Sequence, residues 1–156
     1  MATFKVTSSA FEPGKPIPSV CAYKGAGQNQ SCPVSWSGAP DGTKSFVLIV
    51  DDPDAPSPRH PRAKPWVHWV LYDIPSETTS LGQGQSVGLV GRNDFGETKW
   101  GGPLPPPGSG RHRYFFKVYA LDKMLHLSAG ASKDQVIAAM KGHVVAQGEL
   151  VGTYER

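Results

Sequence analysis

Four side chains carry the chemistry of this 156-residue chain: Asp52, His68, His112 and Tyr114. His112 and Tyr114 lie two residues apart, so on a strand they project from one face. His68 interrupts the apolar run Trp66-Val67-His68-Trp69-Val70-Leu71-Tyr72, where an imidazole must find a hydrogen-bond partner or face a cavity. Asp52 closes another apolar run, just before Pro53. Brought together, two imidazoles, a phenol and a carboxylate would offer donors to an anion, with the carboxylate orienting one imidazole. Asp52, His68 and His112 could equally serve as acid and base, or as three zinc ligands. Against both, the chain has no His-x-x-x-His pair, and no serine or cysteine is expected beside either histidine. Singly, each residue has a plainer use. Strand histidines and tyrosines are mostly satisfied core groups, and an aspartate before proline mostly shapes a turn. Spacing alone does not bring the four together.

Three other segments imitate known sites and fail on context. Gly38-Ala39-Pro40-Asp41-Gly42-Thr43-Lys44-Ser45 has the residues of a phosphate loop, but its spacing is wrong and a strand follows where a helix is needed. Gly82-Gln83-Gly84 lacks the third glycine of a dinucleotide fingerprint. Ser109 sits between glycines without a strand-to-helix elbow around it.

The elements that must position the four residues are mostly strands. Lys44 to Val50 is unbroken and apolar from Phe46, suited to a sheet buried on both faces. Pro53 ends it by removing a backbone donor. The following loop, 53–65, holds five prolines together with Arg59, His60, Arg62 and Lys64. A second strand is expected over 66–74, with Val67, Trp69 and Leu71 on one face and His68, Val70 and Tyr72 on the other. Residues 82–110 read as loop. A third strand covers 111–121, with His112, Tyr114, Phe116 and Val118 sharing one face and Arg113, Phe115, Lys117 and Tyr119 the other. One helix is signalled by the capping box Ser132/Gln135, the stripe Val136, Ile137, Met140 and the stop Gly142. A last strand runs over 144–154. A mainly β architecture follows, a β-sandwich with one or two short peripheral helices in a single domain, 1–156.

Composition narrows the function classes. Gly 18 and Pro 15 together make about a fifth of the chain, which suits short strands and many turns. A net charge of +3 without a basic block gives no reason to expect nucleic acid. No apolar stretch reaches the length of a membrane span, and the start Met1-Ala2-Thr3-Phe4-Lys5 is unlike a signal peptide, so a cytoplasmic location is expected. There, Cys21 and Cys32 are expected as reduced thiols.

The stretches Asp52-Pro53-Asp54-Ala55-Pro56 and Trp66 to Tyr72 resemble the first signature of the phosphatidylethanolamine-binding protein family. Gly101-Gly102-Pro103-Leu104-Pro105-Pro106-Pro107-Gly108 followed by His112-Arg113-Tyr114-Phe115-Phe116 is similar to the second. Ser31 to Trp36 and Glu149 to Tyr154 resemble the bacterial and archaeal, kinase-inhibitor-like branch. The resemblance implies a β-sandwich with an anion pocket at one end. It implies ligand contacts from Asp52, His68, His112 and Tyr114, a wall at Trp66, and a closing loop carrying Gly102, Pro105 and Pro106. It also implies a cis Ala55–Pro56 peptide and a homodimer. Members bind phosphate-like groups and some inhibit kinases or proteases, so the expected partners are a small phosphate-like anion and, through an exposed loop, a kinase or protease. No cofactor or metal is expected, and the chain reads as a binding protein rather than an enzyme. Ending at Arg156, it lacks the C-terminal helix of animal members, which puts their lipid and kinase roles in doubt here. Local cations, Arg59, Arg62, Lys64, Arg111 and Arg113, would raise anion concentration at the pocket. Binding is expected to tighten as pH falls through the histidine range, near 6.5.

Overall fold

The apolar run at 46–50 becomes the centre of the molecule. In a computed structural model, which describes residues 4–156, it forms β3 (Ser45–Asp52), with all eight residues buried. Phe46, Leu48 and Val50 enter one core cluster and Val47 and Ile49 another, on opposite faces of the strand. A strand apolar on both faces must be covered on both. β4 (Trp66–Pro75) and β7 (His112–Leu121) flank it antiparallel. β6 (Leu89–Val90) and β8 (Val144–Tyr154) complete a five-stranded sheet of order β6-β4-β3-β7-β8.

A three-stranded antiparallel sheet, β1 (Lys5–Thr7), β2 (Val34–Ser37) and β5 (Ser80–Leu81), lies over one face. Its Val6, Val34, Trp36 and Leu81 pack into the same core as Phe46, Leu48 and Val50. The opposite face is covered by α1 (Lys133–Met140) and the segment before it, through Val136, Met140, Leu125 and Ala131. Ser132 Oγ accepts from the Gln135 amide at 3.1 Å and Gln135 Oε1 from the Ser132 amide at 2.9 Å, the reciprocal cap expected. The helical stripe is narrower than expected. Val136 and Met140 are buried, four residues apart on one face, whereas Ile137 is 41% exposed.

The even alternation expected for β4 is broken. Val50 pairs with Trp69 and Asp51 with Val67, so His68 is an extra residue in a bulge. That bulge resets the faces: Trp69 and Leu71 join the inter-sheet core, while Val67, Val70 and Tyr72 share the helix side. His68 thus turns toward the inter-sheet side instead of joining Val70 and Tyr72. Among the described residues, no helix is long and apolar enough to cross a membrane.

Candidate functional site

The C-terminal end of β3, the N-terminal ends of β4 and β7, and the loops beyond them enclose a cavity of about 500 Å³. Asp52, Trp66, His68, His112, Tyr114, Pro105 and Pro106 all line it. Antiparallel pairing explains the convergence. Asp51 pairs with Phe115 on one side and Val67 on the other, so the ends of the three strands meet in one corner. The Ala55–Pro56 peptide is cis and both residues join the wall. Gly102 lies behind the lining. A Cβ there would stand 1.9 Å from the Cys21 carbonyl oxygen, so glycine permits the loop to press against that backbone. Trp100 Nε1 donates to the same carbonyl at 3.0 Å, and Cys21 and Cys32 are free thiols.

His112 is held at both ring nitrogens. Nδ1 donates to Asp52 Oδ2 at 2.7 Å, and Ser109 Oγ lies 3.0 Å from Nε2. Asp52 Oδ1 accepts the Asp54 amide at 2.7 Å. His68 Nδ1 donates to the Gly101 carbonyl at 2.6 Å, and the ring meets Tyr114 edge-on with centroids 5.1 Å apart. Burial pushes the Asp52 carboxyl above its ordinary range, although the His112 and Asp54 hydrogen bonds pull the other way. Burial holds His68 down to about 4, outweighing the carbonyl partner that favours its charged form. Burial and the nearby charges of Asp52 and Asp54 push the Tyr114 phenol up, so it keeps its proton.

Sequence reasoning missed two contributors. The expectation that no serine stands beside a histidine is wrong: Ser109 reaches His112 across a turn closed by its own amide donating to Pro106 O at 3.0 Å. Phe95 meets Trp66 and His68 edge-on, at 5.4 and 5.7 Å between centroids, and stacks on Tyr23 at 4.2 Å. Nothing in its sequence surroundings signals that. Of the basic residues expected near the mouth, only Arg62 lines the cavity, its guanidinium 5.1 Å from the Trp66 ring centre. Arg113 points through the other face, where Nε and Nη2 clasp Asp54 at 2.9 and 3.0 Å. Arg111 faces Glu155 at 3.6 Å and Lys64 faces Asp134 at 3.1 Å. The zinc alternative finds no support in the grouping, since among the described residues no three His, Cys, Asp or Glu side chains cluster to hold a metal ion.

Residues 7–155 match the family model described as phosphatidylethanolamine-binding protein. The chain belongs to the phosphatidylethanolamine-binding protein family. A relative from Methanothermobacter thermautotrophicus, named UPF0098 protein, is 46% identical over 94% of this chain and 95% of its own. A Chlamydia trachomatis structure described as a putative family homologue superposes with a TM-score of 0.90 at 38% identity, covering 100% of this chain and 99% of that one. Escherichia coli YbcL, described as a member of the mammalian family, gives 0.89 at 34% identity, covering 99% of each chain. In this member of the family the cavity lies at one end of the sandwich, where the ends of β3, β4 and β7 meet.

Proposed function

We propose that the cavity binds a small phosphate-like oxyanion, free or as the phosphorylated part of a larger ligand, and that the protein serves regulation rather than turnover. One observation carries the reading. Asp52, His68, His112 and Tyr114, drawn from three strands, meet Arg62 in a single cavity otherwise walled by Trp66, Phe95, Leu104 and prolines. A regulatory role, by inhibition of a kinase or protease, would use the exposed loop 53–65 at the cavity mouth.

The line Ser109–His112–Asp52 has the hydrogen-bond order of a nucleophilic triad. Binding is nonetheless favoured over catalysis. Ser109 is not among the residues that line the cavity, so its hydroxyl is not presented to a ligand held there.

Calorimetry with inorganic phosphate, on the parent and on Tyr114→Phe, tests the proposal, because the Tyr114 side chain lines the cavity. A hydrogen bond to a charged group contributes about 1.5–3 kcal/mol, so the variant should bind roughly ten- to a hundredfold more weakly. Circular dichroism should show it folded, because only the hydroxyl is removed. A folded Tyr114→Phe protein that binds phosphate as well as the parent would refute the reading.

A further inference from the structure

The walls fix the tautomers of both histidines. The Gly101 carbonyl can only accept, so the proton of His68 sits on Nδ1, and its Nε2 carries a lone pair. The Asp52 carboxylate likewise holds the proton of neutral His112 on Nδ1, and its Nε2 receives the Ser109 hydroxyl. Both Asp52 oxygens are engaged, one by His112 and one by the Asp54 amide. Among the described residues, no hydrogen-bond partner reaches His68 Nε2 or the Tyr114 hydroxyl, yet neither atom is sealed from the cavity. The open pair is therefore one acceptor and one donor. A fully ionised oxyanion would set its own lone pairs against that of His68. An oxyanion that keeps one hydroxyl matches both atoms.

We propose, resting on the oxyanion reading, that the cavity selects a singly protonated phosphorus oxyacid, whose P–OH donates to His68 Nε2 while Tyr114 Oη donates to another of its oxygens. Arg62, whose guanidinium also stands 3.7 Å from Asp94 Oδ2, supplies the positive charge at the cavity wall. The apolar walls, Trp66, Phe95 and Pro105, leave room for an organic group on phosphorus. The ligand class is thus the monoanion of an organic phosphate monoester or phosphonate. Sulfate and its esters, which carry no hydroxyl near neutral pH, are discriminated against. An unmatched buried acceptor is how a site rejects a near-isostere.

The charged and titratable groups around His68 come from every neighbouring element. Asp52 and, behind the sheet, Asp51 lie on β3, and Tyr114 and His112 on β7. Arg62 lies on the loop after β3, and Asp94 on the loop after β6. Asp51 and Asp94 favour a charged imidazole, but burial prevails, and His68 remains an acceptor through pH 5.5–8. His112 is the other imidazole at the cavity, and a proton gained by the protein itself would strengthen every anion alike. The proton that matters here is the ligand's, and a second anion distinguishes the two cases.

The test is calorimetry on the unaltered protein with phenyl phosphate and phenyl sulfate, each at pH 5.5 and pH 8. A phosphate monoester loses its second proton near pH 6, so binding restricted to the monoanion weakens roughly fifty- to a hundredfold between these values. Phenyl sulfate should bind weakly and equally at both. Phenyl phosphate binding equally at both pH values overturns the inference. So does phenyl sulfate binding as tightly as phenyl phosphate, or gaining in parallel at pH 5.5, since the proton then belongs to the protein; the oxyanion reading survives these results. Binding of neither compound at either pH overturns both.

Discussion

Asp51 and Asp52 are adjacent, both almost completely buried, and on opposite faces of one sheet. Their partners differ in kind. Asp51 Oδ2 meets two lysine ammoniums, Lys133 at 2.7 Å and Lys117 at 3.3 Å, while its Oδ1 has no partner among the described residues. Asp52 meets an imidazole and a backbone amide. Lysines stay charged under ordinary conditions, so Asp51 is a fixed clamp tying the start of α1 and the middle of β7 to β3. The partners of Asp52 bring no obligate charge. It sits at the edge of a cavity, where its oxygens set the tautomer and aim of His112. Two carboxylates one residue apart thus serve a clamp on one face and a cavity wall on the other, divided by the alternation of the strand.

The largest effect that separates them is on stability. Asp51→Asn leaves two ammoniums facing a neutral group. Breaking a buried ion pair costs about 3–5 kcal/mol, and the partial exposure of both lysines lowers this to roughly 2–4 kcal/mol. Denaturant unfolding should show that loss, with phosphate affinity unchanged. A large fall in phosphate binding in this variant would erase the division between the faces.

A smaller effect, of opposite sign at two neighbouring sites, appears in pH dependence. Burial raises the Asp54 carboxyl, but the clasp of Arg113 and its amide outweighs this and leaves it below the ordinary range. A depressed acid stabilises the fold above its unfolded pKa, near 4, and loses that contribution as pH falls through its folded value. Asp52 is raised instead, so its ionised form is the penalised one, and the penalty is complete only above the folded pKa. Asp54→Asn should therefore lower the unfolding free energy most at pH 7, by about 1 kcal/mol given the exposed guanidinium, and least near pH 3. Asp52→Asn should move the other way relative to the parent, improving as pH rises from 4 to 7. Parallel pH profiles for the two variants would contradict these assignments.

Much of this frame is legible in the sequence because its strongest signals are local. The run 46–50 announces a doubly buried strand, the pair His112/Tyr114 a shared face, and Ser132/Gln135 a helix start. The second sheet is not legible: β1, β2 and β5 span 3, 4 and 2 residues, too short for alternation to register. The bulge at His68 is invisible because nothing in Trp66 to Tyr72 marks where pairing slips, yet it decides which way the imidazole points. Ser109 is three residues from His112, but only the turn conformation, with Gly110 at φ 107°, brings its hydroxyl to the ring. His68 also leaves the histidine pH range that the sequence suggests for it. Burial keeps His68 neutral down to about 4, which a strand pattern gives no means to read.

The smallest effect concerns how the clamp is shared. Lys133 is the shorter partner of Asp51, at 2.7 Å, with its side chain 18% exposed; Lys117 stands at 3.3 Å and is 28% exposed. Lys117 also lies 5.7 Å from the Phe115 ring centre, so part of its attraction goes to that ring. A longer, wetter contact is screened more, and the carboxylate keeps one close ammonium after Lys117 is lost. Methionine preserves the stem that covers the sheet. Lys117→Met should therefore cost no more than about 0.5–1 kcal/mol, whereas Lys133→Met, which also frees the first turn of α1 from the sheet, should cost clearly more. Denaturant midpoints of the two variants compare them directly. Equal losses would mean that the two lysines share the charge of Asp51 evenly, and that the position of α1 does not depend on the shorter contact.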